Sequence, residues 1–321
     1  MRPGPARRAM LGFGDLDGWA GDDHAGALEV FRSTCDLMAG PGWAWAAGLA
    51  RDVRPGAARD FFERAFRPVL VEDGGPALFT GYHEPELDGD LRASARCPVP
   101  LYALPPDRPA ETPWLSRTEI EAGALAGQGH EIAWLSDPVD AFFLQIQGSG
   151  RVRLPEGRVL RLGYAGGNGH PYVSIGRLLI ARGALPADRA SAEEVKDWLR
   201  AHPGERADVM RANGSFVFFR VLEGLPPGAG PLGTLGRPVT AGRTLAVDPA
   251  HVPLGAPVWI ETDGAEPWRR LMVAQDTGSA IKGARRADIF VGTGPEAGAR
   301  AGRIRDGGRM VVLWPREAGP T

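Results

Sequence analysis

The apolar positions change their period along the chain. In roughly the first seventy residues they recur at helical spacing. Phe13, Leu16 and Trp19 form an apolar opening, and GDDHAGALEVFRSTCDLM then carries Ala27, Leu28, Phe31 and Leu37 near the period of a helix. A second helical run covers ARDFFERAFRPVLV. At GGPALFTGYHEPELDGD the helical period is lost, and a short apolar run meeting a glycine-rich turn predicts a strand followed by a loop.

The middle of the chain is punctuated by its own caps. SDPVDAFFLQIQGSG places Asp137 as a cap, Pro138 at the first helical position and Gly148 as the stop. RVRLPEGRVLRLGYA has the alternation of a hairpin around a PEG turn. SIGRLLIARG and SAEEVKDWLRAHP predict short helices, the second with a Ser191–Glu194 capping box, and NGSFVFFRVL a strand. The Pro/Gly-rich stretch 223–238 marks a boundary. Beyond it no helix is expected: TLAVDP, APVWIET, RRLMVAQD, ADIFVG and RMVVLWP are short β-rich runs between Gly, Pro and Asp, the pattern of a small barrel. A doubly wound sheet has no room for its helices here.

Composition narrows the function classes. The 321 residues are 43% hydrophobic and 24% charged with a net charge of -2, which is globular and gives no concentrated basic surface for nucleic acid. No apolar window is long enough to span a membrane, and no apolar signal segment follows the basic start. Cys35 and Cys97 are too few for a metal knot or a disulfide scaffold, and both a single bridge and two free thiols remain open.

The candidate chemistry lies in QDTGSAIKGARRADIFVG, 275–292, where Asp276 and Asp288 stand twelve positions apart. The stretch has no histidine and no calcium-loop pattern, so no metal is expected. It lacks the phosphate-loop spacing and its helix, so no nucleotide or other cofactor is expected either. Two readings remain. The aspartates cap turns, or one of them, desolvated at a strand end and beside a like charge, holds a proton near neutrality and delivers it to a leaving oxygen. The second requires Lys282, Arg285 and Arg286 to point elsewhere or to serve the substrate.

Three clusters in glycine-rich loops display hydroxyls, amides and aromatic faces suited to a sugar-lined groove: Thr80, Tyr82, His83 and Glu84; Gln145, Gln147 and Ser149, closing a helix; and Tyr164, Asn168, His170 and Tyr172. Each has a plainer use in capping or in the core.

FTGYHEPELDG, FFLQIQGSGRVRLPEG, LGYAGGNGHPYVSIG, NGSFVFF, GPLGTLGRPVTAGRTLAVDP, VPLG and QDTGSAIKGARRADIFVGTGPEAGARAGR together resemble the membrane-bound lytic murein transglycosylase A family, from about Phe13 to Trp314. The segment from Leu235 to Trp314 is also similar to the three-aspartate, or 3D, domain of the double-psi β-barrel class. The resemblance implies a mainly β protein with N-terminal helices: a double-psi β-barrel, a smaller inserted β-rich domain, and a substrate groove between them. The corresponding segments are 1–78 contributing to the barrel, 79–222 as the insert and 235–314 as the 3D domain.

The implied activity cleaves the β-1,4 bond between N-acetylmuramic acid and N-acetylglucosamine in peptidoglycan strands and leaves a 1,6-anhydromuramic acid end. The alternatives are a muramidase-type hydrolase and a non-catalytic glycan-binding barrel. The family's catalytic aspartate maps onto Asp288 and its earlier aspartate onto Asp276 in a supporting role. Its groove motifs map onto Thr80, Gly81 and Tyr82, onto Gln147, Gly148 and Ser149, and onto Tyr164, Gly166 and Asn168. The family also implies a monomer in the periplasm, associated with the outer membrane through a lipid anchor that is not visible in this chain. The motifs depart from the common pattern at Ser279, at His83, and in a linker before Asp288 that is a residue longer.

Overall fold

The computed structural model describes residues 7–72, 74–109, 113–186 and 191–316. Strand β1 (Arg7–Met10) precedes three helices, α1 (His24–Arg32), α2 (Pro41–Ala50) and α3 (Ala58–Ala65), after which the chain enters β2 (Phe66–Glu72). Next come β3 (Leu78–Glu84), β4 (Glu86–Asp90) and β5 (Val99–Tyr102), the helical turn α4 (Arg117–Glu119) and β6 (Glu131–Leu135). Helix α5 (Pro138–Gln147) is followed by a hairpin of β7 (Gly150–Arg153) and β8 (Val159–Gly167). Helices α6 (Ile175–Ala181), α7 (Ala192–Ala201) and α8 (Arg206–Arg211) lead to β9 (Val217–Val221). The final third holds β10 (Thr244–Val247), β11 (Pro257–Thr262), β12 (Arg269–Asp276) and β13 (Arg286–Thr293). It ends with α9 (Gly294–Arg303), β14 (Arg305–Asp306) and β15 (Gly308–Pro315).

These elements form two units. One takes the residues up to Tyr82, Leu232–Gly292 and those from Arg303 onward; the other takes His83–Pro231 and Thr293–Gly302. The first is built on a nine-stranded mixed sheet in the order β1-β2-β15-β11-β12-β10-β13-β3-β14. Its middle strands are buried on both faces, which is why VWI, LMVA and MVVL read as continuous apolar runs rather than alternating ones. Phe31 of α1, Phe62 of α3 and Phe66 of β2 are fully buried and meet as a ring cluster, Phe31 and Phe66 edge to face at 5.7 Å. Truncating one of these rings to alanine costs about 3–5 kcal/mol.

The second unit has a six-stranded sheet in the order β5-β6-β4-β7-β8-β9, with α5 packed on it. Asp137 accepts from Val139 N at 2.9 Å, Pro138 occupies the first turn, and Gly148 closes the helix at φ 76, where a side chain would be strained. The β7–β8 hairpin and the Ser191–Glu194 capping box form as the sequence predicts.

The structure corrects five expectations. The run ARDFFERAFRPVLV is helical only to Ala65, because Pro68 disfavours helix before it and the rest pairs as β2 with β1 and β15. The predicted loop after LFTGY is strand, interrupted only at Pro85. Tyr164 and Gly166 lie on β8, not in a loop. A helix does occur beyond 238: α9 has few apolar residues, because small ones, Gly294, Gly298 and Ala301, form its buried side. Nor is the C-terminal sheet self-contained. The N-terminal β2 lies between β1 and β15, β3 lies between β13 and β14, and the strand order has two ends rather than closing. Cys35 and Cys97 are free and buried, one in each unit. Among the described residues, no helix is long and apolar enough to cross a membrane.

Candidate active site

In the first unit β10 separates the two strands that carry the aspartates. Ala246 on β10 is the register partner of Asp276 on β12 and of Asp288 on β13. Two strand spacings therefore separate the aspartate backbones, roughly 10 Å. The register of β10 against β12 jumps from Leu245↔Ala274 to Ala246↔Asp276, so Gln275 is left over as a bulge. Its amide is used inside: Nε2 donates to Val30 O, Ser33 Oγ and Thr34 Oγ1, and Oε1 accepts from Thr244. The bulge shifts which face Asp276 occupies.

Strand β3 lies beside β13 and presents Thr80 and Tyr82 on one face, two residues apart. Thr80 Oγ1 donates to Asp288 Oδ1 at 2.6 Å, and Tyr82 Oη donates to Asp276 Oδ2 at 3.0 Å. One strand thus holds both carboxyl groups. The Tyr82 ring packs on Phe290 at 5.2 Å. Gly81 lies between them on the alternate face. Asp248 accepts from Gly283 N at 2.9 Å and so braces the loop that joins the aspartates.

The two carboxyl groups differ in what they accept. Asp276 Oδ1 takes Thr234 N at 3.0 Å, Thr234 Oγ1 at 2.9 Å and Thr277 N at 2.9 Å, besides the Tyr82 bond to Oδ2. Asp288 accepts only from Thr80 among the described residues. Burial pushes both above the usual carboxylate range. At Asp276 the bonds from Thr277, Thr234 and Tyr82 pull back without overcoming burial. At Asp288 the Thr80 bond and the Arg286 charge pull back, and the Asp276 charge pushes further up. Hydrogen-bond donors favour the charged form of a carboxyl group, and Asp276 meets more of them than Asp288 does. Burial and the neighbouring Asp276 also push the Tyr82 phenol far up, so it stays a donor.

Of the three cations in the segment, Arg286 does not point elsewhere: its Nη2 donates to Thr80 Oγ1 at 2.7 Å. Arg285 is turned to backbone, donating to Gly75 O and Gly308 O. The sequence gives no sign of the Thr234 and Thr277 contacts to Asp276 or of the bond from Arg286 to Thr80. The shared face of Arg286 and Asp288 was detectable in principle, since residues two apart on a strand share a face.

The remaining groove candidates belong to the second unit. Gln147 Oε1 accepts from His83 N at 3.1 Å, Gly148 is the α5 cap, and Ser149 is buried. Tyr164 is 56% exposed on β8, and a side chain at Gly166 would press on Leu104 at 3.0 Å. Asn168 is fully buried. Its Nδ2 donates to Leu115 O and Gly214 O, and its Oδ1 accepts from Phe216 N, so its amide is satisfied within the unit. Glu84 is also fully buried, accepting from Arg151, Arg161 and Thr293. Burial pushes the His83 imidazole down to about 4.

Comparison with known proteins gives this arrangement its context. Residues 78–220 match the family described as the MltA specific insert domain, and residues 243–314 match the 3D domain. The chain is 34% identical over 277 residues to membrane-bound lytic murein transglycosylase A of Escherichia coli K12, covering 84% of this chain and 73% of that one. Among solved structures, a membrane-bound lytic murein transglycosylase from Agrobacterium tumefaciens superposes with a TM-score of 0.87 at 32% identity, over 96% of this chain and 98% of that one. Escherichia coli MltA with bound chitohexaose superposes at 0.77 and 27% identity, over 96% and 94%. With a relative above 30% identity covered over most of its length, and both of its domain models matched in order, the chain belongs to the membrane-bound lytic murein transglycosylase A family.

Proposed function

We infer that the protein is a peptidoglycan lytic transglycosylase in which Asp288 is the single acid–base group. The observation that carries this assignment is the unequal pair: Asp276 with four hydrogen-bond donors, Asp288 with one. Protonated Asp288 gives its proton to the glycosidic oxygen as the bond from that oxygen to C1 of N-acetylmuramic acid breaks. The carboxylate so formed takes the proton of the C6 hydroxyl as O6 bonds to C1. The acid is restored and the sugar ends as the 1,6-anhydro form, with no water consumed. An intramolecular nucleophile draws on proximity rather than on a second catalytic carboxylate.

Asp276 supports this role by keeping a negative charge near Asp288. A hydrolase would need a base for water, and both Asp276 oxygens are already held by donors. Thr80 can serve both stages, because its hydroxyl donates to Oδ1 whether or not the other oxygen of the carboxyl carries the proton.

In this reading residues 79–222 are the insert, and 1–78 with 235–314 form the catalytic domain, which we take as a double-psi β-barrel; β3, at the start of the insert, completes its nine-stranded sheet. Gly81, Gln147, Gly148, Ser149, Tyr164 and Gly166 are assigned to glycan contact, with Tyr164 offering an exposed ring. Tyr82 and Asn168 are reassigned to support of the fold and the acid pair. We place the enzyme in the periplasm as a lipid-anchored monomer, the compartment where its substrate lies.

Replacing Asp288 with Asn tests the assignment. Turnover of purified glycan strands should fall at least a hundredfold, on the scale of a lost proton donor, while binding persists. Near-normal turnover would overturn it.

A further inference from the structure

Arg286 and Asp288 sit two residues apart on β13 and so share a face, and the neighbouring β3 presents Thr80 to both. Arg286 Nη2 donates to Thr80 Oγ1 at 2.7 Å, and Thr80 Oγ1 donates to Asp288 Oδ1 at 2.6 Å. The guanidinium is fixed by further bonds to Leu78 O at 3.3 Å and Ala287 O at 2.5 Å, one on each strand. A threonine hydroxyl has one hydrogen and two lone pairs, and a guanidinium can only donate. Arg286 therefore takes a lone pair and leaves the hydrogen for Asp288. Among the described residues, Asp288 Oδ2 has no hydrogen-bond partner.

We propose that Arg286 is a positioning residue for the acid: it orients the Thr80 hydroxyl onto Oδ1, leaves Oδ2 as the oxygen that exchanges protons with the glycan, and favours the carboxylate formed when that proton leaves. The proposal rests on Asp288 being the acid. Among the described residues, the charged and titratable groups facing Asp288 are Arg286 on its own strand, Asp276 on β12 and Tyr82 on β3. Burial and Asp276 push the acid up, and Arg286 opposes them. The opposition matters chemically, since an acid held too far up is slow to surrender its proton. The cation that the sequence pattern sets against proton chemistry thus makes the buried carboxyl a usable donor.

The test reads the Asp288 carboxyl directly, by carbon-13 NMR titration of the full chain without substrate, with the signal assigned by its loss in Asp288→Asn. Arg286→Met should raise the midpoint by about one pH unit, the low end for losing a nearby opposite charge. The alkaline limb of kcat should move up with it. Arg286→Lys should hold the midpoint close to that of the parent. Thr80→Val, of the same shape and with the guanidinium retained, should also raise the midpoint, and the double variant should shift less than the sum, as coupled sites do. An unmoved midpoint in a folded Arg286→Met overturns the proposal, as does strict additivity. Should Arg286→Met not fold, an unmoved midpoint in Thr80→Val overturns it equally. Because no substrate is present, failure here leaves the assignment of Asp288 standing. Failure of that assignment shows instead as an active Asp288→Asn.

Discussion

The Thr80 hydroxyl and the Asp288 carboxyl meet at 2.6 Å across neighbouring strands, the one hydrogen bond that Asp288 accepts among the described residues. A hydrogen bond to a charged group is worth about 1.5–3 kcal/mol. Thr80→Val therefore should lower kcat about ten- to a hundredfold, with KM for glycan strands little changed, because the bond is strongest once the proton has left. Thr80→Ser should retain most of the rate. Steady-state kinetics of the two variants decide this; equal losses in both would mean that the side chain acts by shape.

A buried acid that holds its proton tightly makes stability fall as pH rises. The native Asp288 binds its proton more tightly than the ordinary value of 3.8. Between that value and the raised native one, the folded state holds more protons than the unfolded state, so stability falls as pH rises through this window. Asp288→Asn removes the term. Its melting temperature should match the parent below the ordinary carboxylate range and exceed it increasingly above. Thermal melts across pH check this, and a variant less stable at neutral pH would contradict it.

The two tyrosines should separate. Tyr164 is 56% exposed, so Tyr164→Ala should weaken binding of an oligomeric glycan with little change in melting temperature. Tyr82→Phe keeps the ring on Phe290 but takes a donor from the Asp276 carboxylate, so it should cost about 1.5–3 kcal/mol of stability. Calorimetric titration beside thermal melts distinguishes them; weakened glycan binding with full stability in Tyr82→Phe would return that residue to the groove.

Local chemistry made much of the fold legible. Asp137, Pro138 and Gly148 bound α5 as their capping preferences require, and the PEG turn set the β7–β8 hairpin. What stayed hidden depends on partners distant in sequence. Nothing near Phe66 announces that β2 pairs with β15, whose Val311 meets Leu70. Helix α9 was masked because its buried side is glycine and alanine, a pattern that hydrophobic periodicity cannot detect. In the site, the two aspartates and Thr80 stood out through motif and residue type. The burial of Asn168 was silent, because a buried amide that joins segments looks, in sequence, like one that faces a sugar. The Gln275 bulge was equally silent, since register is a property of two strands.

The central claim is that the C6 hydroxyl, not water, attacks C1 once Asp288 has given up its proton. Digestion of purified, defined murein strands in heavy-oxygen water, followed by mass spectrometry of the products, tests this most directly. The account predicts muramic ends lighter by one water than reducing ends and carrying no heavy oxygen. Reducing muramic ends that carry the label would show hydrolysis and contradict it.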